Sequence, residues 1–217
     1  QLFGRGLVPT AGDFGMSGRP PSHPDLLDHL AVQFINDGWS IKKLIRYLVI
    51  SRVYQLGSHS SAAAMELDPD NVFLWRAAPR RLDAEQLRDA MLAVSGQLET
   101  KPPIGSAVAR SGEGPVSSFG RSSALTALNN PRDTHRSIYL PVIRDNLPES
   151  LALFDGADPS LITASREHTT VPSQGLFLLN NEFVMRASDA AADQLLKVDG
   201  TEQRTRMAFL RFYGRAP

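Results

Sequence analysis

The sequence predicts a mainly α-helical fold: an irregular multi-helix domain with long loops and a short extended or edge-strand segment. Three observations predict it. Apolar residues recur at helical spacing in several separate stretches, capping residues stand at the starts of most of them, and glycine, proline and serine crowd the intervals.

The chain opens with Gly4, Gly6, Pro9, Gly12, Gly15, Gly18, Pro20 and Pro21, a composition that turns the backbone repeatedly before regular structure begins. Ser22 and Asp25 read as a capping box for a helix over 22–37, with Leu26, Leu27, Leu30, Phe34 and Ile35 on one face and Gly38 as its stop. Ser40 reads as the next N-cap, with Trp39 and Leu44 placed to staple around it. Ile41, Leu44, Ile45, Leu48 and Val49 then form the buried stripe of a helix over 40–54. The two helices are expected to pair as a hairpin. Residues 57–64 read as an irregular connection leading to the turn Asp68-Pro69-Asp70.

The clearest helix spans 82–98, where Asp83 and Gln86 suit the start and Leu87, Ala90, Met91, Val94 and Leu98 repeat at helical spacing. From 101 to 132 prolines, glycines and serines break the pattern, so a flexible excursion is expected. Residues 137–143 carry β-branched content suited to an extended segment, and Pro141 confines it to an edge. Asn146 followed by Glu149 begins a short helix through Phe154. Another helix starts near Thr170-Val171-Pro172 and runs to about 197, with a break at Asn180-Asn181. A terminal helix over 201–213 takes Thr201 as its cap.

With 217 residues, 42% hydrophobic and 21% charged, the chain is long and apolar enough to build a core. The 23 Lys and Arg residues balance 23 Asp and Glu residues, so no overall charge draws it to nucleic acid or anionic lipid. Lys42, Lys43, Arg46 and Arg52 on the second helix permit a helix-turn-helix reading. The apolar residues beside them are needed for packing, however, and no nucleic-acid partner is expected. The absence of cysteine excludes disulfides, thiolate catalysis, haem attachment through a CxxCH sequence and cysteine-ligated metals within these residues. No apolar run is long enough for a membrane-spanning helix, and both ends read as cuts within a longer chain.

Several stretches together resemble one bacterial family: Phe3-Gly4-Arg5-Gly6-Leu7-Val8, Asp13-Phe14-Gly15, Pro21-Ser22-His23-Pro24-Asp25-Leu26-Leu27 and Gly38-Trp39-Ser40-Ile41-Lys42. Arg81-Leu82-Asp83-Ala84-Glu85, Arg136-Ser137-Ile138-Tyr139-Leu140-Pro141, Thr169-Thr170-Val171-Pro172-Ser173-Gln174 and Leu176-Phe177-Leu178-Leu179-Asn180 continue the match. The combination is similar to the planctomycete-type domain of unknown function 1553, a family associated with cytochrome-c-like modules. The resemblance implies that 1–217 is a truncated domain of that family in an exported protein, periplasmic or cell-surface-associated. Its partners would be the other domains of the parent protein, and any haem would sit in a separate cytochrome-c-like module. No cofactor is expected in these residues themselves.

The chain has no GxxxxGK[ST] phosphate loop, no GxSxG nucleophile elbow and no HExxH pair, and its five histidines are dispersed. No catalytic residue and no metal ligand is assigned. Asp83, Glu85 and Asp89, near Arg80, Arg81 and Arg88, suit capping and surface ion pairs.

The most suggestive polar grouping surrounds Arg136, Arg144, Asn146, Arg166 and His168, with Glu167, Thr169 and Thr170 beside them. Guanidinium groups suit a carboxylate or sulfate, Asn146 a carbonyl or hydroxyl, and the helix start at 169–174 offers backbone N–H donors. These five residues form the expected binding site for an anionic or polysaccharide ligand. A structural network fastening the extended segment to the following helix explains the same residues, and both readings stay open here. The functional expectation is a non-catalytic structural or recognition module of an exported multidomain bacterial protein. The competing expectations are an enzyme acting on extracellular carbohydrate or polar polymer with a separate redox module, and a docking piece for that module.

Overall fold

The computed structural model describes residues 2–105, 129–142 and 147–217. Among these the regular structure is helical, apart from one isolated parallel bridge between Glu99 and His135. The chain divides into two compact units, 1–81 and 82–217.

The first unit holds α1 (Pro24–Asn36), α2 (Ile41–Val49) and α3 (Ala62–Leu67). Helices α1 and α2 pack together as the predicted hairpin. The expected Ser22 cap is not formed. The N–H and hydroxyl of Ser22 both donate to the Leu7 carbonyl, at 2.8 and 3.2 Å, and α1 starts instead from His23 with Pro24 in its first turn. Gly38 ends α1 at φ +73°, and Trp39 beside it lays its ring edge-on to Phe34 at 5.4 Å. Ser40 accepts from the Lys43 N–H at 3.4 Å, as a cap should. The stretch 57–64, read as irregular, conceals the start of α3, where Ser61 accepts from the Ala64 N–H at 3.5 Å. Its run of alanines favours a helix but is too short to show a period.

The second unit is built around α4 (Ala84–Ser95), which packs against α5 (Glu149–Leu153), α7 (Glu182–Leu196) and a single 3₁₀ turn at Ser137–Tyr139. Helix α6 (Pro172–Asn180) meets α7, and α8 (Thr201–Tyr213) closes the order. Ala84, Leu151 and Phe154 form a buried cluster with Leu87, Leu147 and Phe177 packed on it. Ala187 and Ala191, one turn apart on α7, are buried, and small residues at that spacing let two helices approach closely. Asn181 breaks α6 from α7 and caps the latter by accepting from the Phe183 N–H at 2.9 Å. Thr201 is the first residue of α8 rather than its cap. Gly200 holds the cap position at φ +80°, a conformation a β-branched residue resists.

The expected extended segment also changes place. Ser137–Tyr139 wind into the 3₁₀ turn because the Asp89 carboxylate takes both the N–H and the hydroxyl of Ser137, each at 2.7 Å. The extended pairing lies earlier, at Glu99 and His135. The central part of the 101–132 excursion, residues 106–128, lies outside the described residues. None of the described helices is long and apolar enough to cross a membrane.

Candidate functional site

Helix α4 organises the charged side chains of the second unit. Glu85, Arg88 and Asp89 stand three and four positions apart, so one turn of the helix presents them together. Arg88 is 6% exposed and donates to the carbonyls of His135 at 2.7 Å and Asp133 at 2.5 Å, while its guanidinium lies 5.3 Å from the Phe183 ring centroid. Burial lowers its pKa, and the charges of Asp133 and Asp89 oppose that shift. A buried guanidinium joined to two carbonyls 45 and 47 positions away serves to hold the 133–137 segment on α4.

Arg166 makes a two-pronged pair with Glu85, at 2.5 and 2.9 Å. The hydrogen bond from Arg166 draws the Glu85 carboxyl below its ordinary pKa against the upward pull of burial, and the same bond raises Arg166. Arg136 lies one helical turn along, its Nε 3.7 Å from the Asp89 carboxylate and its side chain half exposed. Thr169 gives both its N–H and its hydroxyl to Asp155, at 2.8 and 2.7 Å, and the Val171 N–H goes to the Gln174 side chain at 3.3 Å. Two of the backbone donors expected to meet a ligand at the start of α6 are thus met by protein side chains.

The structure brings Arg136 and Arg166 to carboxylates one turn apart on α4. His168 is exposed, on the short run between the Arg166 pair and the Asp155 clasp. Arg144 and Asn146 lie outside the described residues. Sequence reasoning missed Glu85 and Asp89 as the partners of these arginines. The available signal was a pair of acids, Glu85 and Asp89, at i and i+4 on one helix.

Beside these pairs runs a cleft of about 900 Å³. Its floor is aliphatic, with Ala90, Ala93, Leu98, Ile138 and Leu151, and its polar edge is made by Glu85, Asp89 and Arg136. Val142 and Leu147, which flank Arg144 and Asn146 in sequence, also line it. Among the described residues no group of three or more His, Cys, Asp or Glu is gathered to hold a metal.

A family model for proteins of unknown function (DUF1553) matches residues 1–217. The chain belongs to the DUF1553 family. No curated protein and no solved structure matches it. In this DUF1553 chain, then, chemistry has to be read from the cleft itself. Arg166 neutralises Glu85, and Arg136, half exposed, partly neutralises Asp89. The lining suits a ligand with one apolar face and a polar or anionic edge.

Proposed function

We propose that this DUF1553 chain is a non-catalytic recognition module, and that the cleft over α4 holds a polar polymer bearing acidic or hydroxyl groups. The observation that carries this reading is the division of labour among the charged groups. Arg88 and Arg166 are consumed in holding segments together, whereas Arg136 stands half exposed at the edge of an open, aliphatic-floored cleft. Sugar rings offer C–H faces for such a floor and hydroxyl or carboxylate edges for a guanidinium. The resemblance to planctomycete-type relatives supports placing the module in an exported bacterial protein with a haem-bearing cytochrome-c-like domain elsewhere.

Calorimetric titration of the purified protein with acidic oligosaccharides, and with sulfate alone, tests the proposal. Saturable binding of the oligosaccharide is expected, weakened about tenfold by Arg136→Ala through loss of a charged hydrogen bond. The melting temperature of that variant should match the parent. No binding at low ionic strength, or binding indifferent to Arg136, would overturn the site. Turnover of the oligosaccharide into new products would overturn the non-catalytic reading in favour of an enzyme on the same polymer.

A further inference from the structure

Within residues 1–81 lies a partly open pocket of about 490 Å³ that none of the foregoing chemistry uses. Its walls are mostly aliphatic: Leu26 and Leu30 from α1, Leu48 from α2, Leu7 from the opening segment, and Val72 and Leu74 from a later turn. The opening segment is pinned at both ends. Phe3 packs edge-on to Tyr54 at 5.6 Å, and Ser22 binds the Leu7 carbonyl twice.

The turn that carries Val72 and Leu74 is elaborately held. The Asp68 carboxylate accepts from the N–H groups of Val72 and Phe73, at 2.9 and 2.8 Å, and the Asp68 carbonyl accepts from the Trp75 indole at 3.0 Å. Asn71 bonds both backbone groups of Arg76. Asp68 and Asn71 are the buried residues of this unit among those described, so its deepest positions serve the turn rather than an apolar core. Leu74 is held at φ +53°, a backbone conformation that a bulky side chain adopts only when its surroundings compel it. Strain of this kind gathers at ligand sites, and here it fixes a cavity wall. The volume of the pocket falls within the roughly 300–1,000 Å³ of small-molecule sites.

The polar groups of the lining are mostly engaged with one another or with neighbouring protein. His23 meets the Ser22 hydroxyl at 3.0 Å, Tyr47 meets His29 at 3.3 Å, and Ser51 donates to the Leu48 carbonyl at 2.6 Å. Arg5 is the permanently charged residue of the lining. It is exposed, and among the described residues it makes no hydrogen bond or ion pair. We propose that this cavity binds a single-chain anionic amphiphile, with its aliphatic chain between α1, α2 and the Val72–Leu74 turn and its acidic head on Arg5. Aliphatic walls select the chain, and the unpaired guanidinium selects the charge of the head.

The test is titration of the delipidated protein with dodecanoate below its micelle concentration, in parallel with dodecyltrimethylammonium. One equivalent of dodecanoate should bind saturably, about tenfold or more tighter than the cationic analogue, and Arg5→Gln should remove that preference. Leu30→Trp should fill the cavity and abolish binding while circular dichroism shows the helices retained. If that variant does not fold, intermolecular nuclear Overhauser effects from dodecanoate methylenes to the Leu48 and Val72 methyls of the unaltered protein decide the matter. Unsaturable uptake, equal binding of both amphiphiles, or absence of those contacts would overturn the proposal. So would a protein dimer, seen by sedimentation, that dodecanoate dissociates without charge preference, because the cavity would then belong to a second copy of the chain.

Discussion

Arg166 and Glu85 lie 81 positions apart, yet they form the closest charged contact among the described residues of the second unit. The pair has a definite pH signature. The Glu85 carboxyl is drawn below its ordinary value in the folded chain, first by the Arg166 hydrogen bond. Its contribution is therefore complete above the unfolded carboxyl's titration and is lost as pH falls through the lower folded value. Arg166 is shifted upward, so its side of the pair is lost only at strongly alkaline pH. Because both side chains remain about one-third exposed, solvent screening limits the pair to roughly 1 kcal/mol. Arg166→Gln should lower unfolding stability by about that amount at neutral pH, and the difference from the parent should vanish in acid, once the pH has fallen through the lowered Glu85 titration. Urea unfolding at both pH values measures it, and a pH-independent difference would mean that Arg166 acts by packing. The sequence marked Arg166 as a guanidinium needing an anion and Glu85 as a helix-borne acid, but no local pattern joins two residues 81 positions apart.

At the scale of elements, helix ends were legible where a single residue sets them. Ser40, Asn181 and the Asp83–Gln86 pair sit at starts, and Gly38 sits at a stop. The misread starts at Ser22 and Thr201 share one cause: a side chain with capping chemistry was either engaged elsewhere or displaced by a glycine at positive φ. Gly96 shows what such a glycine contributes. It ends α4 at φ +72°, and a Cβ there would stand 2.3 Å from the Gln194 amide nitrogen, which donates to the Ser95 carbonyl at 2.6 Å. Gly214, which ends α8 in the same left-handed conformation at φ +66°, has nothing within 4 Å of the same position. Gly214→Ala should cost the backbone penalty alone, about 1–2 kcal/mol, and Gly96→Ala should cost measurably more. Denaturant unfolding of the two variants makes the comparison. Equal losses would show that the Gln194 contact yields without cost.

Across the whole molecule, burial is unevenly shared. Every buried hydrophobic residue among those described, from Ala84 to Ala191, belongs to 82–217, whereas α1 and α2 contain no buried residue. Local stability follows buried apolar contact, so opening should be easier in the first unit. Hydrogen exchange read by mass spectrometry should find the amides of α4 and α7 protected at least about tenfold more than those of α1 and α2. Uniform protection across the chain would show that the two units open as one. Dodecanoate should slow exchange in α1 and α2 if it occupies the cavity there, because a ligand that binds only the folded form stabilises it.

The sequence alone determined the helical class, most helix boundaries and the break at Asn181. Those signals are local: a 3.6-residue period needs only the residues of its own helix, and a cap needs only its first turn. Tertiary structure decided that Arg88 is buried beneath the 133–137 segment, that Asp89 bends Ser137–Tyr139 into a 3₁₀ turn, and that Arg136 stands at the edge of an aliphatic cleft. It also decided that Leu74 takes a left-handed backbone to wall a cavity. Each of these depends on which partners folding brings within a few ångströms. Hydrogen-bond and ion-pair energies fall off over that distance, whereas separation along the chain carries no such information.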